Sequence, residues 1–120
     1  MSSKNGGITM FAIILQIILG LGFFMFGYIK FTSEKMVEGF DHFGLPQWFR
    51  IVTGVFEWVG AFGMIIGIWY PTLALLSGIW LAIIMFFAIL THLRAKDPIA
   101  QSGMPAILLV LSIIVALVNM

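Results

Sequence analysis

The chain has 120 residues, of which 62% are hydrophobic and 9% charged, with a formal net charge of +1 and no cysteine. Soluble domains run at about 45–50% apolar and about 25% charged, so a soluble fold of this size would expose apolar surface and aggregate. The charge balance excludes the basic stripe that nucleic-acid binding needs. The missing cysteines exclude disulfide exchange, CxxC redox chemistry, thiolate metal sites and covalent sulfur carriage.

Four apolar runs follow in chain order, at about residues 8–29, 51–70, 72–93 and 104–118. A spanning helix needs about 20 apolar residues, in a range of roughly 17–25. The first three runs meet this, and the fourth is short unless its flanks are included. In hydrocarbon every backbone polar group must be paired within the chain, so only helices or closed barrels span a bilayer. The runs are continuous rather than alternating, which excludes barrel strands of about 10 residues. The first run follows Lys4 in the manner of a signal peptide. It is longer than an h-region of about 7–15 residues and lacks a small-x-small cleavage site, so it reads as a retained span.

The connections differ. Tyr70-Pro71 predicts a tight turn between the second and third spans, with Pro71 in the first turn of a helix, where its missing N–H costs nothing. The other two connections hold nearly all the charge. Residues 30–50 carry Lys30, Glu34, Lys35, Glu38, Asp41 and Arg50, and residues 94–97 carry Arg94, Lys96 and Asp97. Within the first of these, residues 33–43 predict a short amphipathic helix. Ser33 is placed to cap it and Glu34 suits its first turn. Met36, Val37, Phe40 and Phe43 fall on one face, Glu34, Lys35, Glu38 and Asp41 on the other, and Gly44-Leu45-Pro46 ends it. Such a helix lies in the membrane interface. Trp48, Phe49 and Trp58 suit an aromatic belt there, with Trp69, Tyr70 and Trp80 at the other face or inside the bundle.

The expected fold is therefore an all-α integral membrane protein, an antiparallel four-transmembrane-helix bundle with an amphipathic interfacial helix between the first two spans. Four spans put both charged connections on one side and both termini on the other. Lys30, Lys35, Arg50, Arg94 and Lys96 outweigh Lys4 and the α-amine, which predicts charged loops in the cytoplasm and termini outside a cell (inner) membrane.

Glu57 is the most informative residue. It lies about two turns inside the second span, near 10 Å at about 1.5 Å per residue. An acid at mid-helix costs roughly 2.5–3.5 kcal/mol on insertion scales, so it is expected to face the bundle interior and find a partner. It then either locks two helices together through a base, or accepts a proton or contacts a ligand. His92 ends the third span at the same membrane face, where an antiparallel hairpin brings it toward Glu57. Taken alone it is an interfacial histidine satisfied by water or a carbonyl. Lys30 ends the first span and either snorkels to the headgroups or reaches Glu57. Arg50 is seven residues before Glu57 and shares its face. Met85 is one heptad before His92 and shares its face. Arg94 and Asp97 suit an interfacial pair, and Asp97-Pro98 reads as a turn. Arg50, Met85 and Asp97 are thus candidate ligand-binding residues around a core of Lys30, Glu57 and His92. No metal-ligand spacing is evident. Haem is disfavoured because the chain has only His42 and His92, and His42 is not on a span. Gly54, Gly60, Gly63 and Gly67 lie near one stripe of the second helix, and Gly20 and Gly27 are seven apart in the first. Small residues let helices approach closely in lipid; with no strand before them they are not a dinucleotide fingerprint.

The order of these features is familiar. Gly27-Tyr28-Ile29-Lys30-Phe31 closes the first span and Phe43-Gly44-Leu45-Pro46 ends the amphipathic segment. Gly54-x-x-Glu57-x-x-Gly60-Ala61 lies in the second span, Ala88-x-x-x-His92 and Asp97-Pro98 follow in the third, and Pro105 opens the fourth. Together they resemble the DoxX and DoxX-like family of small four-helix membrane proteins over nearly the whole chain. The resemblance implies a link to quinone-coupled oxidation, notably of thiosulfate, and to membrane complexes that defend against oxidative or quinone stress. It also implies Lys30, Glu57 and His92 as the site. The lack of cysteine argues against a thiol-based version.

Two functions are expected from different classes. One is a quinone-linked redox component, in which Lys30 or His92 bonds a quinone carbonyl, Glu57 moves its proton, and a partner carries any flavin or metal. The other is a non-catalytic structural or assembly subunit of a larger complex, or a homo-oligomer, with the polar cluster as a lock. Solute transport is a weaker third, since no broken-helix pair or inverted repeat is apparent.

Overall fold

The computed structural model describes residues 6–120. Lys4, which enters the charge asymmetry above, lies outside the described residues. Five α-helices follow in order: α1 (Gly6–Thr32), α2 (Glu34–His42), α3 (Gln47–Ile66), α4 (Pro71–Arg94) and α5 (Gly103–Val118). A 3₁₀ turn over Ile99–Ser102 leads into α5. Four stretches are long and apolar enough to cross a membrane: Thr9–Thr32, Gln47–Ile66, Pro71–Arg94 and Ile99–Val118. The protein is all-helical and spans the bilayer.

Two of these spans start earlier than hydropathy alone indicates. Pro46, with φ −68° and ψ 153°, is the N-cap of α3. Its ring fixes φ and it has no N–H to donate, so it ends the preceding extended segment and lets the helix begin at Gln47. Arg50 therefore lies in the first turn of the helix that carries Glu57. At the other end α3 stops at Ile66, not Tyr70, because Ile68 N–H turns to the Ile65 carbonyl (3.2 Å). Gly67 is required there: a Cβ would lie 2.6 Å from the Gly63 carbonyl and 2.8 Å from the Ala74 backbone. This close approach lets α4 start against the end of α3, with Pro71 in its first turn. The fourth span is lengthened by the 3₁₀ turn, which brings it to 20 residues.

The helices form two tight pairs, α1 with α3 and α4 with α5, and contacts of α3 with α4 and of α1 with α5 close the ring. The core on their axis comprises Leu15, Leu19 and Phe23 of α1, Ala61 and Met64 of α3, Ala74, Leu81 and Met85 of α4, and Val115 of α5. Large apolar side chains such as Leu21, Phe62, Phe87 and Val110 point outward, as lipid contact requires. The body is 47 Å long, enough for a hydrocarbon core of about 30 Å and its headgroup layers.

The glycine stripes receive side chains from neighbouring helices. A Cβ on Gly27 would lie 2.3 Å from Trp58 Cδ1, and one on Gly60 would lie 2.4 Å from Leu81 Cδ2. The Trp58 indole N–H, seated at Gly27, donates to the Phe24 carbonyl of α1 (2.9 Å). Trp80 of α4 donates in the same way to the Phe56 carbonyl of α3 (2.9 Å). These two indoles tie helices together, whereas Trp48 and Trp69 are exposed.

The short helix α2 is present between α1 and α3. Ser33 is its N-cap residue but its hydroxyl makes no capping bond. Its backbone carbonyl instead accepts from Met36 N (3.1 Å) and Val37 N (3.2 Å). Phe40 is buried, while Glu34, Lys35, Glu38 and Asp41 are exposed. The helix ends as Gly44 enters the left-handed region at φ 72°. Gly44 N–H then bonds the Asp41 carbonyl (3.0 Å) and Leu45 N–H the Phe40 carbonyl (2.9 Å), a Schellman closure of the last turn.

Candidate functional site

The ionisable residues gather at the end of the bundle where α1, α2 and α4 meet their charged connections, and they divide into two groups. In the first, Lys30 Nζ lies 2.8 Å from Glu57 Oε1, with side-chain exposures of 15% and 1%. Lys30 is in the last turn of α1. Glu57 is ten residues into α3, so its Cα lies about 15 Å along that helix at about 1.5 Å per residue. That is deeper than a helix beginning at residue 51 places it. The lysine stem therefore runs inward along α1 instead of snorkelling outward. Glu57 Oε1 is fully enclosed, and the Lys30 ammonium is its ionic partner. The contact is ionic, and the carboxylate keeps acceptor capacity.

Arg50, one heptad before Glu57 on α3, faces the same neighbour. Its guanidinium donates to the Lys30 carbonyl and its Nε–H to Gln47 Oε1 (2.8 Å). The carbonyls in the last turn of a helix have no intrahelical partner, and a cation there also complements the dipole. Arg50 thus holds the end of α1 while Glu57 holds its lysine. Gln47 extends the chain of contacts to α2, donating to the Val37 carbonyl and to Asp41 Oδ1, both at 2.9 Å.

The second group centres on Asp97. His92 Nδ1 lies 2.7 Å from Asp97 Oδ2 and His42 Nε2 lies 2.7 Å from Asp97 Oδ1. The local cause is the end of α4. Lys96 takes φ 60°, its N–H bonds the Leu93 carbonyl (3.1 Å), and Asp97 N–H bonds the His92 carbonyl (3.0 Å). This Schellman closure folds Asp97 back over His92. A lysine in the left-handed region is strained by roughly 1–2 kcal/mol. Lys96→Gly is therefore expected to raise stability by about 1 kcal/mol, read as a higher unfolding midpoint in detergent; a lower midpoint would contradict the strain. Hydrogen bonds from His92 and then His42 hold the Asp97 carboxyl below the usual carboxylate range. That contribution is present at neutral pH and is lost as pH falls through the lowered value.

The site expected from the sequence is thus brought together in pairs rather than as one pocket. Lys30 meets Glu57 and Arg50, His92 meets Asp97, and among the described residues no ion pair or hydrogen bond joins Glu57 to His92. Met85 packs in the apolar core. Arg94 does not pair with Asp97; its Nη2 donates to the Phe43 carbonyl (2.9 Å). His42 carried no expectation beyond its poor suitability for haem, yet it closes the second group.

A further polar cluster lies toward the other end of the bundle. Gln16 of α1 is buried, its Nε2 donates to the Met64 carbonyl (3.0 Å), and its Oε1 accepts from Asn119 Nδ2 (3.1 Å). A cleft of about 140 Å³ opens beside it, lined in part by Thr9, Ile68, Pro71 and Asn119. A groove of about 170 Å³ lies on the face of α3 and α4, over Gly60, Gly63 and Ser77. Neither is lined by Glu57, His92 or Lys30.

Comparison with known proteins agrees with this architecture. The model of the DoxX-like family matches residues 14–115. An uncharacterised protein of Bacillus subtilis (strain 168), YdgD, is 32% identical over 108 residues, covering 88% of this chain and 95% of that protein. No solved structure matches. The matched segment runs from α1 through α5 and includes both ionisable groups. The chain is a multi-pass membrane protein that belongs to the DoxX-like family.

Proposed function

We propose that this protein is an accessory subunit of a membrane redox system, exchanging protons with a quinone at the charged end of the bundle. The observation that supports the reading best is the Lys30–Glu57 pair, a carboxylate with 1% exposure beside an ammonium with 15%. A lysine ammonium has three donors, and Glu57 engages it at one contact. The accessible side of Lys30 is suited to a quinone carbonyl, and Glu57 is the enclosed group that takes or returns one of the two protons of the quinone–quinol couple, the other exchanging with water at the charged end. The quinone supplies the two-electron chemistry. The chain has no cysteine for thiol redox chemistry, so the electrons would be supplied by a flavin or metal centre on a partner subunit.

In this reading α2 lies in the membrane interface, with Phe40 toward the bundle and Glu34, Lys35, Glu38 and Asp41 toward water. Lys35, Arg50, Arg94 and Lys96 then put the charged end in the cytoplasm of a cell (inner) membrane. The test is quinone reduction by the purified native complex, with a soluble short-chain quinone as acceptor. Glu57→Gln and Lys30→Gln are each expected to lower turnover at least tenfold per assembled complex. Unchanged turnover in both variants sinks the proposal.

A second reading, a non-catalytic assembly subunit, draws on Arg50 and Glu57 both gripping α1. It expects Glu57→Gln to lower abundance of the complex while turnover per assembled complex stays at the wild-type value.

A further inference from the structure

We propose that His42, Asp97 and His92 form a pH-responsive clasp that fastens α2 across the charged end of the bundle. The helix rests on α1 and α3, through buried Phe40 and the two bonds from Gln47. Its attachment to the α4 end is made by side chains at its C-terminus. His42 is the last residue of α2 and meets Asp97 Oδ1, while His92 meets Oδ2, each at 2.7 Å. Phe43 sets its ring edge-on to His92 at 5.2 Å, and its carbonyl accepts from Arg94. One carboxylate therefore joins α2, α4 and the loop that leads to the fourth span.

Either imidazole can donate to Asp97 while neutral, if the facing nitrogen carries the proton. With Asp97 ionised the bond is already charge-assisted, and protonation of a ring adds a cation opposite the carboxylate and turns it into an ion pair. Histidine as a residue type changes charge between about pH 5 and 8. His42 is the more exposed ring of the two, with 56% of its side chain open to solvent. The clasp tightens as pH falls across that interval, and it opens in stronger acid when Asp97 itself is protonated.

The surrounding charges do not supply a competing switch. On α2, Asp41 is bound by Gln47, and Glu34, Lys35 and Glu38 are exposed. On α3, Arg50 turns to Lys30 and Gln47, and Lys30 of α1 turns to Glu57. Arg94 is held at the Phe43 carbonyl, and Lys96 is exposed beside Asp97. The 3₁₀ turn and α5 have no ionisable side chain.

The chain has no cysteine, so Glu38→Cys with Ala100→Cys gives two unique spin-label sites at exposed positions on α2 and the 3₁₀ turn that follows Asp97. Spin–spin distance distributions are compared in liposomes at pH 8.5 and 5.5. The expected result is at least a twofold narrowing at the lower pH. In Asp97→Asn, and separately in His42→Gln, that narrowing is expected to fall to less than half. A wild-type distribution that does not change with pH overturns the proposal, as does a response retained at half or more in either variant. Unchanged helix content by circular dichroism shows that the variants are folded.

Discussion

Replacing Lys30 by Met alone is expected to cost about 3–5 kcal/mol of stability, the penalty for leaving a buried charge without its partner. Glu57 is the residue left behind, with 1% of its side chain exposed. The reciprocal change, Glu57→Met, is expected to cost less than about half of this. Lys30 sits in the last turn of α1 with 15% of its side chain exposed, and its long stem can swing the ammonium to the headgroups. The double variant Lys30→Met/Glu57→Met is expected to recover most of the loss, because an apolar pair often replaces a buried ion pair at little cost. Reversible unfolding in mixed micelles closes this double-mutant cycle. Additive single effects, with a coupling under about 0.5 kcal/mol, would show that the two residues do not act as a pair.

Gln16→Met is expected to cost about 1–3 kcal/mol, the price of an unsatisfied buried polar group. The Met64 carbonyl is in the last turn of α3, where intrahelical donors run out. Ile68 N–H, which would reach it in a continued helix, bonds the Ile65 carbonyl instead. Met64 is fully buried, so no solvent replaces that donor, and Gln16 Nε2 does so from α1. Methionine keeps the side-chain volume and apolar packing, so the loss reports on the two hydrogen bonds of Gln16, to the Met64 carbonyl and from Asn119. The same unfolding assay reads the result. A change within about 0.5 kcal/mol, the size expected of a surface substitution, would mean that the carbonyl finds another donor.

These two residues show how differently a polar group in an apolar run can be read. Glu57 was legible because a charge inside a span is costly enough to demand a partner. Lys30, at the end of the neighbouring span, was a short step from it. Gln16 is uncharged, and in sequence it is only the most polar member of a long apolar segment. Nothing local shows that the neighbouring helix α3 ends two residues after Met64 and leaves a carbonyl to be filled. His42 was hidden for a related reason. Its partner Asp97 is 55 residues away, and the turn that aims Asp97 depends on Lys96 adopting a left-handed conformation that lysine does not favour.

The number of long helices, the short helix between the first two, and the concentration of charge at one end were determined by the sequence itself. Each depends on local hydropathy, on Pro and Gly positions, or on the cost of unpaired backbone in lipid, and all of these act over one helix length. Tertiary structure decided which ionisable groups meet. Helix pairing joins α1 to α3, so Lys30 takes Glu57, and the fold of the loop after α4 gives His92 to Asp97. An alternative in which His92 and Glu57 share one pocket has the same periodicity and the same order of residues. It differs in the rotation of α4 about its axis and in the turn that follows, and these are set by packing across the whole bundle.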